Sequence, residues 1–213
     1  MWKEKIITAI IVILLTIFLS VVVKSSKAAT ILSDGRSTIT IDGTLWAGDA
    51  ARLTRELGLV NSKWMLQNGA MLNIIIDSDG GSADVAQTMM HILNRWSMLH
   101  NLKIRTYTYT KALSGAGLIF LIGHERIVGN LGVIMIHEVW FEGALGKQFT
   151  LSEMVRLEQI SPAGAQATRG FNDLMYQLLR ERTSIPPEWV KDSRYITAEE
   201  AYKHNLATDY ITF

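Results

Sequence analysis

The stretch from Ile104 to Glu138 constrains this chain more than any other. An alternating run, Ile104 to Thr110, breaks at Lys111-Ala112-Leu113-Ser114-Gly115-Ala116-Gly117 and gives way to a wholly apolar segment, Leu118 to Ile122. Period-two alternation reads as a strand, and small residues followed by an apolar run read as a tight turn into a buried helix. Ser114 then falls at or near a helix N-terminus, where free N–H groups and the positive dipole end favour a developing negative charge. A second apolar strand, Leu131 to Ile136, delivers His137. Serine and glycine are also what any tight turn prefers, so the Ser-Gly pair does not by itself establish a nucleophile.

A third element lies upstream. Asn73 to Asp77 is a short apolar strand running into Ser78-Asp79-Gly80-Gly81-Ser82. Adjacent glycines after a buried strand allow close backbone approach or a positive φ. Their N–H groups are placed to line an oxyanion site or to pair with an extended peptide. The order strand–Gly-Gly–helix, strand–Ser–helix, strand–His is a crossover α/β layout that brings all three onto one edge.

Ile76 to Ser82, Ala112 to Gly115 and Ile134 to His137 resemble, in order and spacing, the three signatures of the Clp protease proteolytic subunit, a family of the ClpP/crotonase superfamily. The resemblance runs from about Ser37 to the C-terminus. It implies an α/β fold of repeated β-β-α units wound into a superhelix, with a protruding strand-plus-helix handle that builds oligomer contacts. It implies a serine peptidase acting on extended polypeptides, without a cofactor, as a homo-oligomer. Ser114 matches the nucleophile and His137 the general base, with the backbone N–H groups of Gly80 and Gly115 as oxyanion donors. Gly81 and Ser82 would bind substrate as an added β-strand.

Two departures stand out. The family's acid lies just before an aromatic residue and a Ser/Thr-Ala-x-Glu-Ala helix start. Counting back from Thr197-Ala198-Glu199-Glu200-Ala201 puts that position on Ser193, with Asp192 one residue early. Asp192 is the only carboxylate in that loop and is the expected third member. Glu138 is a poor substitute, because neighbours on a strand point to opposite faces. Asp79 replaces the usual proline and brings a negative charge near the oxyanion edge.

Other readings remain open at this point. A Ser-Lys dyad, as in the signal-peptide-peptidase type, would use Lys111, which has no reason to face the hydroxyl. A crotonase-like acyl-CoA enzyme would need no Ser-His pair. A non-catalytic scaffold is kept open by the shifted acid.

Ile6 to Val23 is nearly continuous in Ile, Val and Leu, long enough almost to cross a hydrocarbon core of roughly 30 Å. Residues 1–29 are therefore expected to be a membrane anchor with a single N-terminal span through 6–23. Ser26 to Ala29 offers a small-residue cleavage site, so export after cleavage is the alternative. Lysines flank both ends of the run and leave its orientation undecided. Residues 30–36 read as a linker and 37–213 as the peptidase domain.

Within that domain Thr38 to Gly43 opens as a strand, a helix is expected from about Ala47 to Val60, and Asn61 to Gly69 reads as a loop. Val85, Met89, Ile92, Leu93 and Trp96 recur at helical spacing. Glu138 to Gln148 reads as an irregular strand or hairpin, and Thr150 to Glu153 as a capping box. Phe171, Leu174, Met175 and Leu178 form an amphipathic face ending at Pro186-Pro187. Thr197 to Glu200 is a second capping box, and Leu206 to Phe213 a closing strand.

Composition narrows the chemistry. A net charge of +1 with 19% charged residues gives no argument for a nucleic-acid partner. Zero cysteines exclude disulfides, zinc-thiolate sites and a cysteine nucleophile. No H-E-x-x-H pattern or acidic cluster supports a metal. His91, His100, His124 and His204 read as surface or satisfied histidines.

Overall fold

The computed structural model describes residues 28–67, 69–139, 141–142, 148–149 and 161–212. The expected anchor at 6–23 and the capping box at 150–153 lie outside them. No helix among the described residues is long and apolar enough to cross a membrane.

The strands are β1 (Thr30–Ser33), β2 (Thr38–Leu45), β3 (Met71–Gly81), β4 (Lys103–Thr108), β5 (Lys111–Leu113), β6 (Glu125–Gly129), β7 (Val133–Met135), β8 (Phe141–Glu142), β9 (Gln148–Phe149), β10 (Ile196–Thr197) and β11 (Asp209–Ile211). The helices are α1 (Asp49–Leu57), α2 (Ser62–Gln67), α3 (Ala83–His100), α4 (Gly115–Leu121), α5 (Pro162–Arg182), α6 (Pro187–Lys191) and α7 (Ala198–Lys203).

The long β3 is the spine. Its first half pairs in parallel with β4, Met71 to Ile75 against Lys103 to Tyr107, and its far end with β5 at Ser78↔Ala112. The chain thus leaves one sheet after β4 and enters a second at β5, and β6 and β7 repeat the step. This strand–strand–helix repeat curls the sheet into two layers. β2 runs parallel to β3, and β11 closes one edge parallel to β6. β8 and β9 pair antiparallel, Phe141↔Phe149.

Alternation sets the faces. Along β3, Leu72, Ile74 and Ile76 are buried, while Met71, Asn73 and Ile75 face partly outward. In β4 the rule holds as well: Ile104, Thr106 and Thr108 are buried and Tyr107 faces partly outward. The end of α4 presses against this strand, and the Thr106 hydroxyl donates to the Phe120 carbonyl at 2.8 Å. A small hydroxyl fits there where a ring would not.

Three local expectations need correction. Thr30–Ser33, expected as linker, is β1, paired antiparallel with β2 from Thr30↔Asp42 to Ser33↔Ile39. Its four residues are too short for alternation to show, and the pairing supplies their hydrogen bonds. Asn61 to Gly69 holds α2, which is anchored by the fully buried Met65. β6, a further strand that the reading of 123–130 left out, lies between β4 and the edge strand β11. The α5 helix starts at Pro162 with Ser161 as its cap, and the Thr197–Glu200 capping box forms as expected.

Candidate active site

Register places the serine and the histidine side by side. Leu113 pairs with Met135 across parallel strands β5 and β7. Ser114 is one residue past its strand and His137 two residues past its own. The Ser114 N–H donates to the Met135 carbonyl at 2.7 Å, tying the two strand ends together.

Ser114 adopts φ 54°, ψ −124°, a conformation L-residues avoid at a cost of about 1–3 kcal/mol. A sharp strand-to-helix turn of this kind holds the hydroxyl clear of both elements. The surroundings impose it. A Cβ on Gly80 would lie 2.4 Å from the Leu113 carbonyl and 2.6 Å from Ser114 Cβ. A Cβ on Gly115 would lie 2.8 Å from Ala86 Cβ on α3. All seven residues of α4 are buried, so the helix behind the serine is a fixed central element. Its far end is held by two arginines. Arg182 donates to the carbonyls of Leu121, Ile122 and Gly123, and Arg126 to Gly123, Asn205 and Leu206. Burial, and then the charge of Arg182, bring the Arg126 guanidinium down to about 10. Cations at a helix C-terminus complement its dipole.

Ser114, Gly115 and His137 line one open pocket of about 390 Å³, with Gly81 and Ser82 at its exposed edge. Trp46, Leu118, Val139 and Phe171 supply its apolar wall. That volume lies within the usual range for ligand sites, with few polar groups on an apolar lining.

Gly80, by contrast, is not among the lining residues, and its N–H donates to the buried Ser78 hydroxyl at 3.1 Å. Of the two glycines, Gly81 is the one at the pocket. β3 pairs with β5 at Ser78↔Ala112, and beyond it the Leu113–Gly115 turn packs against Gly80.

The Asp79 charge is met by Lys111, whose Nζ reaches both carboxylate oxygens at 2.7 and 2.8 Å. The hydrogen bond to Asp79 raises the Lys111 pKa, opposite to what a lysine base requires.

His137 Nδ1 lies 2.7 Å from the Glu138 backbone carbonyl. A carbonyl only accepts, so Nδ1 carries the proton and Nε2 is the basic nitrogen. Asp192, expected to do this, is exposed at the C-terminal end of α6 and does not line the pocket. Its described hydrogen bond is made by its backbone, to Glu188. Ser193 beside it has φ 51°.

Sequence reasoning missed the groups around His137. The Glu138 carboxylate accepts from Tyr176 at 2.5 Å, and the buried Asn172 accepts from the Val139 N–H at 2.9 Å and donates to its carbonyl at 3.0 Å. Desolvation, and then Glu138, push the Tyr176 hydroxyl upward, so it stays a donor. The available signal was weak: one asparagine on a mostly apolar helix face. The four remaining histidines are exposed or engaged. His100 packs on Trp96, His204 meets the Ser184 carbonyl, His124 accepts from the Ile104 N–H, and His91 is exposed. Among the described residues no cluster is suited to hold a metal.

No family model matches the sequence, and no curated protein does. Among solved structures the chain is similar to a point mutant of ClpP1 from Listeria monocytogenes. The TM-score is 0.59 at 18% identity, over 83% of this chain and 91% of that one. The fold is ClpP-like. At this identity the likeness speaks for the fold alone.

Proposed function

We propose that this chain is a serine endopeptidase that hydrolyses extended polypeptides, with Ser114 as nucleophile and His137 as general base. The observation carrying this reading is the strained Ser114 turn opening into the pocket that His137 also lines, on a ClpP-like fold. His137 Nε2 takes the hydroxyl proton as Ser114 attacks the scissile carbonyl, then delivers it to the leaving amine. The backbone at Gly115, with Gly81 in the place first expected of Gly80, faces the developing oxyanion. Gly81 and Ser82 hold the substrate backbone at the exposed edge of the pocket. The Lys111–Asp79 pair argues against a Ser-Lys dyad.

The test is labelling of the purified chain by a peptidyl serine phosphonate. Modification mapped to Ser114, lost in His137→Ala, supports the peptidase. An unlabelled Ser114 in folded protein refutes it and favours the second reading, a catalytically inert ClpP-like scaffold, for which the exposed position of Asp192 speaks.

Assembly and location belong to the same proposal. Leu59, Trp64, Leu66, Met98 and Leu99 are exposed apolar side chains, and they support a homo-oligomer. The apolar run at 6–23 supports a membrane-tethered enzyme. A full-length chain found wholly in the soluble fraction would end that part of the reading.

A further inference from the structure

Resting on the peptidase reading, we propose that Asn172 and Tyr176 of α5 are positioning residues for the histidine base. They fix the Glu138–Val139 backbone so that the Glu138 carbonyl holds the Nδ1–H of His137.

The argument begins with what a histidine base needs. One imidazole nitrogen must be protonated and held by an acceptor, so that the other presents its lone pair to the nucleophile. Here the acceptor at Nδ1 is the carbonyl of the following residue. A backbone carbonyl after a three-residue strand can turn by peptide rotation, so it orients an imidazole only if the peptide is itself held.

Two side chains one helical turn apart on α5 do this. Asn172, 1% exposed, engages both the N–H and the carbonyl of Val139. It pairs with that residue as a neighbouring strand would. Tyr176 holds the Glu138 side chain through its hydroxyl. Positions i and i+4 share a helix face, so one face of α5 grips two consecutive residues next to the base. Phe171, adjacent to Asn172, lines the pocket and keeps α5 against it.

The arrangement has a chemical consequence. A carbonyl fixes the tautomer as a carboxylate would, but it carries no full charge to stabilise the imidazolium formed in the transition state. Catalysis should therefore be sensitive to the clamp.

The test uses the full chain and two kinds of measurement. Nitrogen-15 NMR of the resting protein reads the His137 tautomer and needs no turnover, so a failure of the clamp is distinguishable from a failure of the peptidase assignment. Hydrolysis of a fluorogenic peptide gives kcat and KM separately. Tyr176→Phe is expected to lower kcat about 3- to 10-fold, and Asn172→Ala about 10- to 100-fold, each with KM within about threefold. Asn172→Asp keeps the acceptor for Val139 N–H and should recover part of the loss. If Asn172→Ala does not fold, Asn172→Asp and Tyr176→Phe carry the test. The Nδ1–H signal should weaken or exchange faster in the order wild type, Asn172→Asp, Asn172→Ala. Unchanged kcat and an unchanged His137 signal in these variants overturn the proposal. So does a loss of about 100-fold or more in Asp192→Asn, which would show that a carboxylate orients the base after all.

Discussion

The two halves of the site are built by opposite means. Ser114 sits in a turn whose shape is enforced by backbone contacts at van der Waals limits: Gly80 against Leu113 and Ser114, and Gly115 against Ala86. Side chains contribute little there beyond being absent. His137 lies past the end of a three-residue strand, on a segment held by hydrogen bonds from α5. The proposed nucleophile is thus positioned by exclusion and the proposed base by tethering. The first kind of positioning tolerates no added atom. The second tolerates conservative change and weakens by degrees.

Removing the nucleophile breaks the comparison at its strongest point. Ser114→Ala should reduce peptide hydrolysis by about 10⁴- to 10⁶-fold with an unchanged circular dichroism spectrum, because the hydroxyl contributes nothing to packing. Turnover within about tenfold of wild type would remove Ser114 from the mechanism.

Next comes the exclusion itself. Gly80 has φ +83°, and its added Cβ would meet the Leu113 carbonyl and Ser114 Cβ. Gly80→Ala should cost about 3 kcal/mol or more in denaturant unfolding, through backbone strain and overpacking together. A cost below about 1 kcal/mol would mean that the turn is softer than the geometry implies.

Lys111→Ala sharpens the contrast by removing a charged neighbour of the turn that touches neither half. With Lys111 bound to Asp79 and 39% exposed at its side chain, kcat should change less than about threefold. A loss of about 100-fold or more would restore the Ser-Lys dyad.

The smallest effect lies far from the site, at the β1–β2 turn. Burial raises the Asp34 pKa, but N–H donors from Thr38, Arg36 and Ser37 outweigh it and hold the carboxyl below its ordinary 3.8. The folded state therefore favours the ionised form. Asp34 stabilises the fold fully above 3.8, and the contribution is lost as pH falls through the lower folded value. Asp34→Asn should cost less than about 1 kcal/mol of stability at about pH 6 for so exposed a group, and the gap should close in strong acid. A gap that persists unchanged below about pH 3 would contradict this.

The Ser114 half was legible in the sequence because its determinants are local. Glycines at 80, 81 and 115 and an unbroken apolar run at 118–122 encode a close approach and a buried helix in the residues that perform it. Alternation in β3 and the stripe along α3 were readable for the same reason, each element reporting its own burial through its period. The His137 half was not. Nothing near His137 announces that its acceptor is a carbonyl, since every residue offers one. Asp192 suggested itself by chemical type, while chain geometry put it at the exposed end of α6. Nor could alternation say what the buried Thr106 hydroxyl of β4 would meet. The space left by α4 decides that, and Phe120, which makes the contact, is 14 residues from Thr106. Local sequence sets each element's conformation and singles out the turn that holds Ser114. Which polar atoms meet across elements depends on register and packing distances that arise only when the elements dock. That is why a peptide carbonyl, fixed from a helix whose gripping side chains lie 33 and 38 residues further along the chain, holds a place that the sequence alone would give to an acid.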